Sequence, residues 1–313
     1  MHAHLGLACC VESINYARFL VNDQTLTLDR IGNLSYPFAY NEAELFSDKN
    51  INALASMLKS TVLSEETDFK NLSVSLESNL ATLKRVAIPD NLDEDDENDL
   101  ISWDLKNSLI EPLDRYIYYK TPNSFKSSNY TDYLTIAIRK NIIKSIKSLS
   151  DLVELNLVDV SINQLNTEAI LRSSLQGQTE GLIGVFKVLK SRLESTFLWN
   201  GDYYTSHYDR LAQKGTKDSE KNDWSTKITS KVKQMENLFE QMFQKQVKIE
   251  QIYLYGDLID EKFIDSLQKN MSVAVFRLDP LQNVEKSEKF KAALPALGEP
   301  SKFVESIGVV LDQ

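Results

Sequence analysis

The order of predicted strands and helices in the first half of the chain returns in the second half. In the first half, three strands, a helix and a further strand lie at about 5–7, 14–20, 25–29, 50–59 and 72–76. The same order recurs at 181–185, 195–199, 203–208, 225–246 and 249–255. Each half then adds another helix and strand. A duplicated α/β unit of this kind predicts two lobes, each built around a mixed sheet.

The repeat also predicts where the chain divides. We expect a first lobe over residues 1–165 and a second lobe over residues 166–313. Residues 77–132 interrupt the first pattern with a proline turn, an acidic run, a helix and a strand, which predicts a small inserted α+β subdomain. In the second lobe, residues 203–248 form an inserted helical and β part. A C-terminal helix over about 300–313 is expected to pack back on the first lobe.

Charge and composition limit the location and the partners. The formal net charge is −10, from 45 acidic and 35 basic residues, which disfavours a nucleic-acid partner. No apolar run approaches the roughly 18 residues of a membrane-spanning helix, and the first ten residues lack the charged start of a signal peptide. Cys9 and Cys10 are the only cysteines, and a bridge between neighbours would close no useful loop. We therefore expect a soluble cytoplasmic protein with reduced thiols.

Four parts of the sequence carry a resemblance to a known family. They combine a strand with a proline-ended apolar segment, a tryptophan-bearing helix with a proline turn, a strand and helix before an aspartate-bearing strand, and a closing strand and helix. These parts lie at 72–76 with 85–89, 99–104 with 110–113, 134–140 through 157–160, and 278–280 with 305–311. They resemble PilM-like type IV pilus assembly proteins of the actin-like ATPase superfamily. The resemblance implies an α/β duplicated two-lobe actin-like (ribonuclease H-like) fold, with the inserted subdomain in the first lobe.

The resemblance also locates the three loops with which actin-like proteins hold ATP. Such loops are rich in glycine, because only glycine lets backbone amides approach phosphate oxygens closely. The matching positions are Gly6, Ala8, Cys10 and Asn15 in the first loop, Gly184 and Phe186 in the second, and Gly256 and Asp257 in the third.

Most of the phosphate-handling groups are replaced at these positions. Ala8, Cys10 and Asn15 stand where the family keeps aspartate, glycine and lysine, and Phe186 places a bulky ring where backbone should meet phosphate. The pattern predicts a pseudo-ATPase with weak or absent ATP binding and no resident cofactor. Asp257 could still contact a ribose hydroxyl, although Asp after Gly at a helix start is more often an N-cap. The alternative is an active ATP- and Mg-dependent ATPase or kinase that relies on Asp257 and Asp159.

Three further groups invite a metal or catalytic interpretation. His2, His4, Cys9 and Cys10 could surround zinc, but no second pair completes the site, and we expect core packing and no metal. The acidic run 90–99 lacks the glycine and the spacing of an EF-hand loop, which favours a solvated loop before a helix at 100–108. His207 has no recognisable nucleophile beside it in sequence, and a structural role is expected.

The aromatic residues of the inserted subdomain can either pack in its core or border a partner groove. They are Tyr116, Tyr118, Tyr119, Phe125, Tyr130 and Tyr133. In PilM-like proteins, the groove between the subdomain and the first lobe receives the cytoplasmic N-terminal tail of a PilN-like inner-membrane protein. The resemblance therefore implies a partner groove that includes Trp103, Tyr116, Tyr118, Tyr119 and Tyr133.

The sequence favours a non-catalytic scaffold over an enzyme. Such a scaffold would bind the tail of a PilN-like partner, without nucleic acid and without inserting into the bilayer, and so lie at the inner face of the cytoplasmic membrane. A related adaptor of type II secretion or cell division is the second hypothesis, and homo-oligomers stay open.

Overall fold

The chain forms two compact units in a computed structural model that describes residues 2–11, 13–22, 25–39, 41, 44–64, 68–127, 129–175, 180–190, 192–210 and 217–312. The first unit comprises Met1–Ile170, Asn283–Leu297 and Glu305–Gln313. The second unit comprises Leu171–Gln282 and Gly298–Val304. The last segment of the chain thus returns to the unit that contains the first strands.

Both units combine strands with helices. The strands are β1 (His2–Cys9), β2 (Ile14–Asn22), β3 (Thr25–Leu34), β4 (Phe69–Leu76), β5 (Ala81–Pro89), β6 (Tyr116–Ser127), β7 (Tyr130–Arg139), β8 (Asn156–Ile162), β9 (Leu182–Val188), β10 (Arg192–Trp199), β11 (Asp202–Arg210), β12 (Ile249–Tyr255), β13 (Ala274–Arg277) and β14 (Glu285–Lys286). The helices are α1 (Asp48–Thr61), α2 (Glu94–Lys106), α3 (Lys140–Leu152), α4 (Asn163–Leu175), α5 (Lys217–Phe243), α6 (Glu261–Lys269), α7 (Glu288–Ala293) and α8 (Val304–Leu311).

The central sheet of the first unit has six strands in the order β14-β3-β2-β1-β4-β8. β1, β2 and β3 form an antiparallel meander, whereas β4 runs parallel to β1, and β8 runs parallel to β4. β1 is buried along almost its whole length, which agrees with the run of apolar and small residues from Leu5 to Cys9, and the buried part also includes His4. The carboxyl ends of β1, β4 and β8 therefore lie side by side at one end of the sheet.

A second, three-stranded antiparallel sheet in the first unit has the order β5-β7-β6. Helix α2 packs on one face of it, and the shared core consists of Val86, Ile88, Ile101, Leu105, Tyr116 and Ala137. Side chains alternate between the two faces of a strand. Tyr116 is buried in the α2 core, whereas Ile117 and Tyr119 are exposed. The alternation places these last two side chains on the face opposite α2.

The second unit contains a five-stranded sheet in the order β11-β10-β9-β12-β13. β9, β10 and β11 are antiparallel, and β12 runs parallel to both β9 and β13. Trp224 of α5 is fully buried, and its indole N–H donates to the Leu189 carbonyl at 3.0 Å. Phe239, four turns further along α5, packs on Trp199 and Tyr204 with ring centroids 5.0 and 4.5 Å apart. The apolar stripe of this helix thus supplies the core of the second unit.

The acidic run at 90–99 is a helix start rather than a loop, which corrects the sequence interpretation. Helix α2 begins at Glu94, six residues before the expected position, and carries four acidic residues in its first turn. Asp93 is the N-cap, and its carboxylate accepts from the Asp96 backbone N–H at 2.9 Å. Carboxylates near a helix N-terminus are stabilised by the helix dipole, so the charge run favours the helix instead of opposing it.

Helix α8 lies directly against β1 and α4 because two glycines allow the approach. A Cβ added at Gly6 of β1 would overlap the Ser306 carbonyl oxygen and approach Val310 Cγ2 at 2.7 Å. A Cβ added at Gly308 of α8 would overlap the Asn166 carbonyl oxygen. The two overlapped atoms, the carbonyl oxygens of Ser306 and Asn166, belong to the backbone, which cannot move aside as a flexible side chain can. The position of α8 is therefore fixed by backbone-to-backbone packing in the first unit.

We expect Gly308→Ala to lower the free energy of unfolding, by about 1 to 3 kcal/mol, as overpacked sites do. Helix propensity alone predicts the opposite sign, since Ala is favoured over Gly by about 1 kcal/mol inside a helix. Urea unfolding at pH 7 measures the difference. Gly298→Ala is the control, because nothing lies within 4 Å of a Cβ added there. A Gly308→Ala protein as stable as the wild type would contradict the packing argument.

Candidate partner groove and predicted nucleotide loops

A cavity of about 590 Å³ lies in the first unit between the three-stranded sheet and the edge of the six-stranded sheet. One side is formed by Ile117, Tyr118 and Tyr119 of β6 with Ile136 and Ile138 of β7; the other is formed by Val158–Ile162 of β8 with Ile143, Leu165 and Asp312. We call this cavity the groove. Its lining is mostly aliphatic and aromatic, which is typical of a ligand-binding cleft.

The groove runs along two sheet edges. β8 is the last strand of the six-stranded sheet, and β6 is the last strand of the three-stranded sheet. Each contributes consecutive residues to the lining rather than every second one, 158–162 from β8 and 117–119 from β6. Because alternate side chains of a strand point to opposite faces, a consecutive set indicates that the strand edge itself borders the cavity. Edge backbone groups of this kind can pair with an added strand.

The charged side chains among the groove residues are both acidic. Asp159 of β8 is half-buried, and burial raises the pKa of its carboxyl group, although the hydrogen bond from the Val160 backbone N–H acts in the opposite direction. Asp312 follows α8, and its backbone N–H donates to the Gly308 carbonyl at 3.0 Å. The groove is therefore apolar with a negative component, which suits an apolar ligand that also carries positive charge.

Two of the five residues predicted for the groove lie in its lining, Tyr118 and Tyr119. Tyr116 is in the α2 core, and Tyr133 packs against that core, so both face away from the exposed side of β6. Trp103 is 63% exposed on α2. Strand alternation puts Tyr118 on the same face as Tyr116, and Tyr118 too packs against the α2 core, so Tyr119 is the predicted residue of β6 that lies on the face opposite α2.

The groove residues that the sequence interpretation missed are aliphatic and acidic rather than aromatic. They include Ile117, Ile136 and Ile138 from the three-stranded sheet, and Val158 and Asp312 from elsewhere in the first unit. Ile117 and Val158 are apolar residues that the strands leave exposed, a property that the sequence does not display. The pairing of these two strand edges depends on long-range packing that no local pattern encodes.

The first predicted nucleotide loop lies in and after β1. Gly6 and Ala8 are buried inside the strand, and Gly6 leaves room for α8. The Cys10 thiol lies 3.3 Å from Oε2 of Glu305, to which it donates. Asn15 Nδ2 contacts the Cys10 sulfur at 3.7 Å, and Asn15 Oδ1 accepts from Asn33 at 2.6 Å. The end of β1 is thus packed with side chains and a carboxylate from α8.

The other two predicted loops lie in the second unit. Gly184 and Phe186 are inside β9, and Phe186 is fully buried with its ring edge-on to Phe197 at 5.7 Å between centroids. Gly256 has φ of +113°, and a Cβ there would lie 2.6 Å from the Val188 carbonyl oxygen, so the position requires glycine.

Asp257 does not cap helix α6, which corrects the preferred interpretation of this residue. The N-cap is Asp260, whose carboxylate accepts from the Phe263 backbone N–H at 2.9 Å. Asp257 instead forms an ion pair with Lys302, with 3.2 Å between Oδ1 and Nζ. The cap therefore comes later in the chain than that interpretation placed it.

The histidines and cysteines considered for zinc do not form a common cluster among the described residues. His4 lies in β1, where its Nε2 is 2.8 Å from Ser73 Oγ, and burial lowers the pKa of its imidazole to about 4. Burial and then the nearby Glu77 raise the pKa of the Cys9 thiol to about 12. The described side chains instead bring Cys10 together with Glu77 and Glu305.

His207 lies in β11, next to Phe197 with 6.3 Å between the ring centroids. Burial is the main cause that lowers the pKa of its imidazole, followed by the positive charge of Lys231. The nearby Asp209 acts in the opposite direction. The structure thus places the His207 ring beside Phe197 in β11, and a structural role remains the expectation.

Comparison with known proteins identifies the fold. No protein-family model and no curated protein sequence matches the chain. Among solved structures, the PilM-PilN type IV pilus biogenesis complex matches with a TM-score of 0.76 and 13% identity, covering 99% of this chain and 98% of that chain. The cytoplasmic domain of EpsL, an inner membrane component of the type II secretion system of Vibrio cholerae, matches with a TM-score of 0.51 and 10% identity, covering 99% and 94%.

The fold is the two-lobe actin-like fold, with a mixed sheet in each unit. Over almost its full length, the chain shares its fold with a chain of the PilM-PilN complex, which confirms the fold that the resemblance implied. None of the described helices has the length and apolar character needed to cross a bilayer.

We expect the stability of the protein to fall between pH 6.5 and about 4 because of His4. Its pKa is near 6.5 in an unfolded chain and about 4 in the folded protein, so the unfolded state binds the proton first. The contribution is complete above pH 6.5 and is lost as the pH falls. By pH 5 the loss is about 2 kcal/mol.

Urea unfolding of the wild type and of His4→Gln at pH 7 and pH 5 tests this expectation. The other titrating groups are shared by the two proteins, so the difference between their pH-dependent losses reports on His4 alone. The loss should be smaller in the variant. Equal losses in both proteins would show that the imidazole does not titrate as its burial requires.

Proposed function

We propose that this chain is a non-catalytic actin-like adaptor whose groove receives the cytoplasmic tail of an inner-membrane protein. The single observation that supports this best is the groove itself, an apolar cleft bordered by two sheet edges and carrying two acidic side chains. An extended peptide can add its backbone to such an edge and insert alternate side chains into the cleft.

A membrane-protein tail has the chemistry that the groove selects. Cytoplasmic segments close to a membrane span are enriched in lysine and arginine. Asp159 and Asp312 would attract such a tail, while Ile117, Tyr119 and Val158 supply apolar contacts. The solved PilM structure is a complex with PilN, which supports a partner of the same kind here. The adaptor would then lie at the cytoplasmic face of the inner membrane through its partner.

The absence of catalysis is part of the same proposal. At the end of β1, the carboxylates of Glu77 and Glu305 lie within 4.8 Å of the Cys10 sulfur, where the family resemblance expects a phosphate. Two carboxylates repel a phosphate group, particularly away from bulk water. In the second unit, Phe186 occupies the strand position at which phosphate would meet backbone, and Asp257 is paired with Lys302.

Calorimetric titration with Mg-ATP should therefore show no binding in the micromolar range, and the protein should show no ATP turnover. The active ATPase or kinase makes the opposite prediction. Turnover that disappears in Asp257→Ala or Asp159→Ala would establish that alternative and reject the adaptor as a pseudo-ATPase.

Site-specific photocrosslinking in cells tests the partner. A photoreactive phenylalanine replaces Tyr119, which is in the groove, or Trp103, which is outside its lining; these aromatic residues belong to the same subdomain and are 65% and 63% exposed. We expect the probe at Tyr119 to capture a membrane protein through its cytoplasmic tail, and the probe at Trp103 to capture much less. Equal capture from both positions, or capture of soluble proteins alone, would reject the groove as the tail site.

The two acidic groove residues allow a second test of the interaction between the groove and the captured tail. A double variant Asp159→Asn, Asp312→Asn should bind a synthetic peptide of the captured tail about tenfold more weakly at low salt, since rim charges mainly steer association. The difference should shrink as salt rises. The identity of the captured protein also separates a pilus adaptor from an adaptor of type II secretion, for which the EpsL likeness is the supporting observation.

A further inference from the structure

Three buried donor atoms meet at the end of β1, and none of their residues lines the groove. They are the sulfur of Cys10 and one carboxylate oxygen each from Glu77 and Glu305, and all lie within 4.8 Å of one another. Each of the three residues is more than nine-tenths buried. The residues come from segments far apart in sequence, so only the tertiary fold brings them together.

The packing of the first unit fixes these donors in place. The parallel register pairs Cys9 with Leu76, which puts the following residues, Cys10 and Glu77, side by side at the carboxyl ends of β1 and β4. Glu305 is in the first turn of α8, the helix that Gly6 and Gly308 allow to pack closely against β1 and α4. Donors held by close backbone packing are organised before a ligand arrives, as a tight site requires. Crevices at the carboxyl ends of parallel strands are a recurrent place for ligands in α/β proteins.

The chemistry of the donors selects a particular class of ligand. Carboxylates that lose contact with water are stabilised when a cation neutralises them. Calcium and magnesium prefer sites made of oxygen alone, whereas a thiolate combined with carboxylates suits zinc and related borderline cations. A tetrahedral zinc ion has bonds of about 2.0 Å to oxygen and 2.3 Å to sulfur, which is compatible with donors less than 4.8 Å apart.

Two amide oxygens at the same end of the sheet independently favour a bound ligand. Gln164 and Asn166 are in the first turn of α4, directly after β8, and both are more than nine-tenths buried. Gln164 Oε1 and Asn166 Oδ1 accept no hydrogen bond within the described part of the chain. The Asn166 amide donates to Ser75 at 2.6 Å, and Ser75 is in β4, two residues before Glu77. These oxygens are suited to accept hydrogen bonds from water bound to a cation.

We propose that Cys10, Glu77 and Glu305 bind one thiophilic divalent cation of the zinc class. The cation coordinates the thiolate and two carboxylates, and binding releases the thiol proton to solvent. It links the C-terminal helix α8 to the ends of β1 and β4. Its three ligands are not groove residues, so the proposal does not depend on the identity of the partner.

Binding of cobalt(II) chloride and zinc chloride to the full, untagged chain tests the proposal after treatment with chelator. We expect one equivalent of cobalt with a thiolate-to-cobalt charge-transfer band in the near ultraviolet, and displacement of cobalt by zinc. Cys10→Ser should lose the band, and Glu305→Gln should bind zinc at least about tenfold more weakly, the size of effect expected when a metal site is disturbed. Cys9→Ser is the matched control and should keep the band.

A measurement on the wild-type protein covers the case in which a variant does not fold. Zinc should slow alkylation of Cys10 in the native protein, and peptide mass spectrometry distinguishes Cys10 from Cys9. Absence of a charge-transfer band together with alkylation unaffected by zinc would overturn the proposal. A band that is lost in Cys9→Ser but kept in Cys10→Ser would overturn it as well.

Discussion

The close seating of α8 against β1 and α4 is the interaction on which both candidate sites depend. Gly6 and Gly308 lack the Cβ atoms that would collide with the backbone oxygens of Ser306 and Asn166. The start of α8 then delivers Glu305 to the end of β1, and its end delivers Asp312 to the groove. The packing of α8 against β1 and α4 thus positions both a buried donor and a groove carboxylate.

In the proposed adaptor, the same contact replaces phosphate chemistry at the end of β1. At the end of β1, a nucleotide-binding protein needs open backbone amides, and this chain has a thiol beside carboxylates of β4 and α8. The negative charge there and the bulk of Phe186 in β9 each disfavour a phosphate in its own unit. The fold itself does not require ATP, because buried strands and helices supply the cores of both units. Function can therefore move to a surface such as the groove, where two sheet edges are available for a peptide.

The sequence predicted much of the fold and part of the groove. The repeated order of strands and helices was enough to indicate a two-lobe actin-like fold, since both periods are visible in single segments. It was wrong about α2, where carboxylates suggested a loop although they favour a helix N-terminus, and about Asp257, where the cap is Asp260. For the groove, the sequence singled out Tyr118 and Tyr119 together with Tyr116 and Tyr133. Tyr116, Tyr118 and Tyr133 contact the α2 core, whereas Tyr119 lies on the opposite face of β6, because strand alternation separates neighbours.

The sequence by itself determined the repeated order of strands and helices and which residue types stand where the resemblance expects phosphate-handling groups, because periodicity and residue type are local properties. Only the tertiary structure decided which contacts Gly6 and Cys10 make. Gly6 was interpreted as part of a phosphate loop, and the structure shows that it allows α8 to approach. Cys10 gains its significance from Glu77 and Glu305, which are 67 and 295 residues away in the sequence. Contacts over such separations follow from the packing of whole elements, and no pattern within a segment specifies them.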